Sequence, residues 1–220
     1  MNQGIQLIPD VLRFWGASPT ANDGLIWVFC IFFISYLVGS IPFGVLISKL
    51  YKLGDIRSTG SGNIGATNVL RTGSKSAAFL TLIMDIAKGS IVVFLAGEFF
   101  GITASHFAAF GVFIGHLFSI FLFFKGGKGV ATFIGIQIIL NIYIGIFVCM
   151  VWIFIALTTR FSSLSSLISS IFSLLILVII NDLSYVWVQT IMVLLIIISH
   201  RKNIYNLISG KESKIKLIKY

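Results

Sequence analysis

Six long apolar segments follow one another along the 220-residue chain, and they restrict its fold more than any other feature. A helix of about 20 apolar residues crosses the roughly 30 Å hydrocarbon core of a bilayer. The composition agrees, because 57% of the residues are hydrophobic and only 10% are charged, which is outside the range of soluble domains. The predicted membrane helices cover residues 25–50, 77–99, 102–124, 130–157, 164–180 and 185–199.

The fourth segment, residues 130–157, is long for one span and short for two, and Asn141 near its middle is a candidate for a tight hairpin. Lys and Arg accumulate in the cytoplasmic connections of membrane proteins. A single span here would put Arg160 and the basic C-terminal tail on the outer side. Two helices avoid this, so we predict an all-α integral membrane protein with seven transmembrane helices, the N-terminus outside and the C-terminus cytoplasmic.

The charged residues support this orientation. Acidic residues mark the opposite connections, at Asp10, Asp23, Glu98 and Asp182. The basic residues predicted to be cytoplasmic are Lys49, Lys52, Arg57, Arg71, Lys75, Lys125, Lys128, Arg160, Arg201, Lys202, Lys211, Lys214, Lys216 and Lys219.

The chain divides into a short tail and one membrane-embedded unit. Residues 1–24 lack the basic n-region of a signal peptide, and we predict that they form an extracytoplasmic tail. Residues 25–220 leave no room for a soluble domain and form the single membrane domain. Cys30 and Cys149 lie alone in apolar segments, so neither a disulfide nor a cysteine nucleophile is expected.

The first cytoplasmic segment, residues 55–73, reads DIRSTGSGNIGATNVLRTG. Its glycines match the GxGxxG pattern, but a membrane helix precedes them, which excludes a dinucleotide-binding fold. Glycines also let backbone N–H groups approach an oxyanion, and a short helix from near Asn63 to Gly73 would direct its positive end toward it. A flexible loop whose arginines only set topology is the less favoured alternative. The residues predicted to bind phosphate here are Arg57, Gly60, Ser61, Gly62, Asn63, Gly65, Asn68 and Arg71.

The second segment, FKGGKGVAT, places Lys125 and Lys128 around Gly126 and Gly127. It lacks the spacing of a nucleotide-binding loop, so ATP hydrolysis is not supported. The two lysines form a compact anion site at the membrane surface. Taken alone, they could equally be anchors that set the topology.

The third segment, from His200 to Glu212, places His200 and Asn203 one helical turn apart, so both can face one side. Alone, such a pair is more often a helix cap. Among the weaker signals, Asp85 and Lys88 are expected to form a structural pair within a span unless a water-filled cavity reaches them. His116 is expected to serve packing or orientation and not proton transfer. The serines from 162 to 173 are expected to let helices approach closely, with Ser163 nearest the ligand.

Together these motifs resemble those of a known family, the bacterial acyl-phosphate:glycerol-3-phosphate acyltransferases. The resemblance covers residues 25 to 215, and the motifs occur in the family's order. They are GSIPFG at 39–44, DIRSTGSGNIGATNVLRTG at 55–73, DIAKG at 85–89, GHLFSIFLFFKGGKGVAT at 115–132, TRFSSL at 159–164 and HRKNI at 200–204. At Ser119 the family usually has proline, which leaves a kink in that helix open.

The resemblance implies a seven-helix enzyme of the bacterial inner membrane, with its active site facing the cytoplasm. It would transfer a fatty acyl group from acyl phosphate to the 1-hydroxyl of glycerol 3-phosphate, giving lysophosphatidic acid and phosphate in the first step of phospholipid biosynthesis. No metal, nucleotide or other cofactor and no nucleic acid is implied, and the surroundings are membrane lipids. An upstream enzyme that forms acyl phosphate is a candidate partner. By motif match, the site residues are Ser61, Arg71, Lys128, His200 and Asn203, joined by Asn68 and Ser163.

Acyl phosphate is already activated, so we expect direct attack by the hydroxyl without a covalent intermediate. Either His200 or a phosphate oxygen of the substrate could accept the proton. The alternative function is a small anion or phosphate-ester transporter. Transporters tend to bind substrate at the bilayer midplane between internal repeats, whereas here the polar motifs gather at one interface.

Overall fold

The computed structural model describes residues 21–215, and every regular element among them is helical. Two short 3₁₀ turns, Ile56–Ser58 and Ile120–Leu122, accompany the α-helices. Most of the predicted N-terminal tail, together with Lys216 and Lys219, lies outside the described residues. The α-helices are α1 (Ala21–Gly39), α2 (Phe43–Leu50), α3 (Ala66–Leu70), α4 (Lys75–Phe100), α5 (Ile102–Leu117), α6 (Val130–Leu140), α7 (Ile142–Thr159), α8 (Ser162–Ile179), α9 (Val186–Ser199) and α10 (Arg201–Ile208).

Among the described residues, five helical segments are long and apolar enough to cross a membrane. A sixth is reached if α9 and α10, which meet at a bend of 57°, count as one span. Helix α6 is apolar but only 11 residues long. The protein is therefore a helical, membrane-embedded protein, as predicted.

Two of the predicted spans are broken. Residues 25–50 form α1 and α2 with a break before Pro42, because proline lacks the N–H that would continue the helix. Residues 102–124 form α5, which ends at Leu117, and a 3₁₀ turn. The two breaks contact each other, since the Ser119 hydroxyl donates a hydrogen bond to the Ser40 carbonyl. The break after α5 is thus present without proline.

The predicted division of residues 130–157 is confirmed, because α6 ends at Leu140 and α7 begins at Ile142. Asn141 joins them, and its side chain accepts hydrogen bonds from the Tyr143 and Ile144 amides at 3.2 and 3.3 Å. An asparagine in this N-cap position satisfies amides that have no partner in the first helical turn. The two helices then pack together, with Gly145 against the Ile138 backbone.

Glycines let α1 and α5 approach closely. A Cβ at Gly39 would overlap the Val112 carbonyl, and one at Gly115 would overlap the Tyr36 carbonyl. Small residues at such contacts are the usual means by which membrane helices pack. Most serines of α8 are also buried, and they donate to carbonyls of their own helix, which satisfies their hydroxyls inside the bundle. This packing leaves a pocket between α4, α6, α7 and α8.

Candidate active site

A pocket of about 440 Å³ opens at the end of the helices where the three polar segments meet. One part is polar and is lined by residues of the 55–73 segment, the 125–129 loop, and α10 with the residues after it. The other part is apolar and continues between α4 and α7 over α6. The polar lining consists of Ser61, Asn63, Gly65, Thr67, Asn68, Arg71, Lys75, Lys128, Ser162, Ser163, Ser166, His200, Asn203 and Glu212.

Asn68 organises the glycine-containing segment from the inside. Its side-chain amide donates to the carbonyls of Ile56 and Asn63 at 2.8 and 2.7 Å, and its oxygen accepts from the Ser61 amide at 3.0 Å. The side chain is 2% exposed. One buried residue thus makes hydrogen bonds to three backbone groups of a segment whose regular structure before α3 is only a short 3₁₀ turn.

The helix of this segment differs from the prediction. It begins at Ala66, with Gly65 as the extended N-cap residue, and ends at Leu70. The predicted start near Asn63 and end at Gly73 are wrong because residues 61–64 belong to the turn held by Asn68. Gly60 has φ +57, and a Cβ there would approach the side chains of Asn68 and Arg71. The absence of a side chain at Gly60 therefore leaves room for the side chain of Arg71.

Arg71 lies at the entrance of the pocket, where the C-terminal residues fold back. Its Nη2 donates to the Ser213 hydroxyl at 2.7 Å. A neighbouring contact, from the Ile215 amide to the Arg160 carbonyl at 2.8 Å, holds the same segment. The guanidinium is thus positioned by Ser213, which lies 142 residues further along the chain.

Lys128 and Asn203 form the centre of the polar part. Lys128 Nζ donates to Asn203 Oδ1 at 2.6 Å, and Asn203 Nδ2 donates to Glu212 Oε1 at 2.7 Å. The Ser163 hydroxyl donates to the same Glu212 oxygen at 2.6 Å. The pKa of Lys128 is lowered to about 8, mainly by burial; the charge of Glu212 opposes the shift, and the charges of Arg71 and Lys202 add to it. A positive charge is held in a partly desolvated position, where it attracts an anion more strongly than it would in water.

His200 follows α9 and is 2% exposed. Its Nδ1 lies 2.8 Å from the Ile196 carbonyl, which can only accept, so Nδ1 carries the proton and Nε2 is the basic atom. Burial first, and then the charge of Lys128, lower its pKa to about 4. The imidazole is therefore neutral near pH 7 and a weak base.

The structure brings most of the predicted site residues together. His200 and Asn203 face the same side and line one pocket, as predicted, although they come from the junction and first turn of α10. Arg57 and Lys125 are exposed and do not line the pocket. The predicted residues that line the pocket are Ser61, Asn63, Gly65, Asn68, Arg71, Lys128, Ser163, His200 and Asn203. Those outside the lining are Arg57, Gly60, Gly62, Lys125, Gly126 and Gly127.

Two functional positions escaped the sequence analysis. Glu212 bridges Ser163 and Asn203, and Ser213 holds Arg71. Glu212 could have been noticed because it is the single acidic residue after His200, in a stretch rich in lysine. The pocket also reaches Asp85, the exception left open for its pairing with Lys88, and His116, which was expected to serve packing or orientation.

Fold and pocket define a class: a helical membrane protein whose pocket combines cations with an apolar groove, suited to a phosphate attached to a long chain. The family model of the glycerol-3-phosphate acyltransferases matches residues 29–210. The chain belongs to this family and is therefore a membrane-bound acyltransferase.

Relatives and solved structures agree. A glycerol-3-phosphate acyltransferase of Bartonella henselae is 50% identical over 198 residues, covering 84% of this chain and 90% of the relative. One of Jannaschia sp. is 48% identical over 182 residues, covering 83% and 90%. The crystal structure of PlsY, an integral membrane glycerol 3-phosphate acyltransferase, in its glycerol 3-phosphate form matches with a TM-score of 0.82 at 35% identity, over 86% of this chain and 96% of that one. Its lysophosphatidic acid form matches with a TM-score of 0.78 at 34% identity, over 85% and 94%.

Proposed function

We propose that this acyltransferase takes its acyl group from an acyl phosphate and transfers it to the 1-hydroxyl of glycerol 3-phosphate. The observation that carries the proposal is the meeting of Arg71 and Lys128, from different segments, in a pocket that continues as an apolar groove. A donor and an acceptor that both carry phosphate require more than one cation. The solved relatives in glycerol 3-phosphate and lysophosphatidic acid forms support the acceptor and the product.

The phosphates are proposed to bind in the polar part of the pocket. Arg71 offers charge-assisted hydrogen bonds from its guanidinium, and Lys128 offers a desolvated ammonium. Ser61 and Ser163 add neutral donors at the same end. Roles in phosphate binding for Arg57 and Lys125 find no support, because neither residue lines the pocket.

The acyl chain is proposed to lie in the groove between α4 and α7, with α6 as its floor. Phe79 and Leu82 of α4 and Ile153 of α7 border it and are 65%, 36% and 52% exposed. Exposed apolar side chains beside a membrane face lipid tails, so the substrate could enter sideways from the bilayer. Each CH₂ buried there stabilises binding by about 0.8 kcal/mol.

In the reaction, the glycerol oxygen forms a bond to the acyl carbonyl carbon, and the bond from that carbon to the phosphate oxygen breaks. Phosphate leaves with the electron pair, and Lys128 and Arg71 stabilise the developing charge. We propose that a phosphate oxygen of glycerol 3-phosphate accepts the hydroxyl proton. A phosphate monoester, with a pKa of about 6, is a stronger base than His200 in its buried position.

For the topology, we propose seven spans in the bacterial inner membrane, with the N-terminus outside and the active site facing the cytoplasm. The five longer segments and the short helices α6 and α9 together then make the seven spans. The polar end of the pocket carries Arg71, Lys75 and Lys128, in agreement with the preference of basic residues for the cytoplasmic side.

The proposal is tested by phosphate release from palmitoyl phosphate by the purified protein in lipid, with and without glycerol 3-phosphate. We expect release that depends on glycerol 3-phosphate and is lost in Arg71→Ala. No release from acyl phosphate, with transfer from another acyl donor, would contradict the proposed donor. Glycerol 3-phosphate flux into liposomes without transfer from any donor would favour a transporter.

Asn68→Leu is expected to raise KM for glycerol 3-phosphate roughly 10- to 100-fold, because it removes the bonds that hold the segment carrying Ser61 and Arg71. Steady-state kinetics at saturating donor measure the effect. Thr72→Val is a suitable control, since the Thr72 hydroxyl bonds only to its own turn. Equal KM values in both variants would contradict this role of Asn68.

The pH dependence of kcat/KM should reveal the loss of charge on Lys128. Its charge is needed for anion binding, and its lowered pKa means that the charge is lost as pH rises through about 8. We therefore expect kcat/KM to fall above about pH 8. Lys128→Arg should keep its charge and extend the plateau to higher pH, at a lower absolute rate because the guanidinium has a different shape. Identical alkaline limbs in the two proteins would show that another group is responsible.

A further inference from the structure

A cluster of buried polar side chains lies beneath the loop that carries Lys128. It consists of Asp85 and Lys88 from α4, His116 from α5 and Thr132 from α6, and none is more than 5% exposed. Ionisable groups inside a membrane bundle are costly and commonly mark function. Asp85 and His116 also line the floor of the pocket, yet the proposed reaction gives neither a role.

The cluster orients the imidazole of His116. Lys88 Nζ lies 2.8 Å from Asp85 Oδ1, which neutralises the pair, and it also donates to the Ile41 carbonyl at 3.0 Å. His116 Nδ1 lies 3.2 Å from the Thr132 hydroxyl and 3.7 Å from Asp85 Oδ1. Two polar groups from two other helices therefore face one ring nitrogen.

The opposite edge of the ring contacts the loop. A Cβ at Gly127 would overlap His116 Nε2, so the glycine lies directly on the imidazole. The Gly127 amide also donates to the His116 carbonyl at 2.9 Å, and the Gly126 amide donates to the Leu117 carbonyl at 3.0 Å. Both glycines thus serve the close approach of the loop to the end of α5. Lys128 is the next residue.

We propose that His116, oriented by Thr132 and Asp85, is a positioning residue that fixes the 125–129 loop and so places the Lys128 ammonium in the pocket. The inference rests on the proposed function, since the loop matters through the phosphate that Lys128 binds. The ring supports the backbone one residue before the cation. A change in its tilt would therefore move Lys128 Nζ away from Asn203.

The hydroxyl of Thr132 offers the mildest test. Thr132→Val removes it at constant shape, and Thr132→Ser keeps it. Thr81→Val is the matched control, because Thr81 is equally buried and its hydroxyl bonds only within its own helix. We expect Thr132→Val to raise KM for glycerol 3-phosphate by up to about tenfold, the upper end of what the loss of one hydrogen bond causes. The fall of its kcat/KM at alkaline pH should also move to higher pH, because a displaced Lys128 is better solvated and keeps its charge longer. Thr132→Ser and Thr81→Val should behave like the parent protein.

A second experiment does not depend on that hydroxyl. Gly127→Ala places a methyl group against the imidazole and should lower kcat/KM. His116→Ala alone should also lower kcat/KM, measured per folded protein, and the losses of the two variants should not add in the double variant, because both disturb the same contact. Parental KM and an unchanged alkaline limb in Thr132→Val would overturn the inference, as would parental kcat/KM in His116→Ala or fully additive losses in the double variant. Absence of transfer in the parent protein would instead reject the proposed function.

Discussion

Lys128→Met is expected to lower kcat/KM roughly 100- to 1000-fold, with little change in the folded fraction. The lysine is the desolvated cation at the centre of the polar part, and removing one such electrostatic stabiliser from a developing oxyanion costs about this much. Methionine keeps the length and flexibility of the side chain. Initial rates with acyl phosphate and glycerol 3-phosphate, together with thermal unfolding in detergent, measure the two effects.

Lys125→Met is the matched control for this variant. Lys125 lies in the same loop but is exposed and outside the lining of the pocket. It should retain near-parental activity, and any small effect should decrease with salt, as expected for a surface charge. An equally large loss in Lys125→Met would mean that the loop binds phosphate as the sequence alone suggests, and that the pocket is wrongly placed.

Gly115→Ala is expected to destabilise the protein by about 3 kcal/mol, because the added methyl group overlaps the Tyr36 carbonyl of α1. A backbone carbonyl inside a packed helix cannot turn aside as a flexible side chain can. The two helices must separate, and the α1–α5 contact supports the break at Ser40. Thermal unfolding monitored by size-exclusion chromatography should show a clear decrease in Tm.

Gly97→Ala provides the comparison, since it makes the same change in α4 where the nearest atom, Ser105 Cβ, is 3.5 Å from the added carbon. It should be neutral or slightly stabilising, because alanine favours the helix over glycine. Equal stability of the two variants would show that the close approach of α1 and α5 is not essential. The pair therefore separates crowding from helix propensity.

Much of the architecture could be predicted because membrane insertion is decided locally. Apolar length and the distribution of lysine and arginine are properties of each segment, so the helices and the division at Asn141 were recognised correctly. The glycines and basic residues at 55–73 and 125–128 likewise predict anion binding from local sequence, and the spacing of His200 and Asn203 predicts a shared face. The break at Pro42 was missed and the kink at Ser119 was left open, since a broken helix and a continuous one are equally apolar.

The composition of the pocket was decided by tertiary structure. Arg71 depends on Ser213, and Ser163 and Asn203 meet at Glu212, across separations that no local pattern encodes. Gly126 and Gly127 look like phosphate-binding glycines but lie against α5, because the space around a glycine depends on which helix packs there. By itself, the sequence determined that this is a helical membrane protein with three polar segments and the motifs of an acyltransferase family. Only the packing of the helices decided which of those residues share one pocket, since burial, desolvation and hydrogen bonding arise between segments that are distant in the chain.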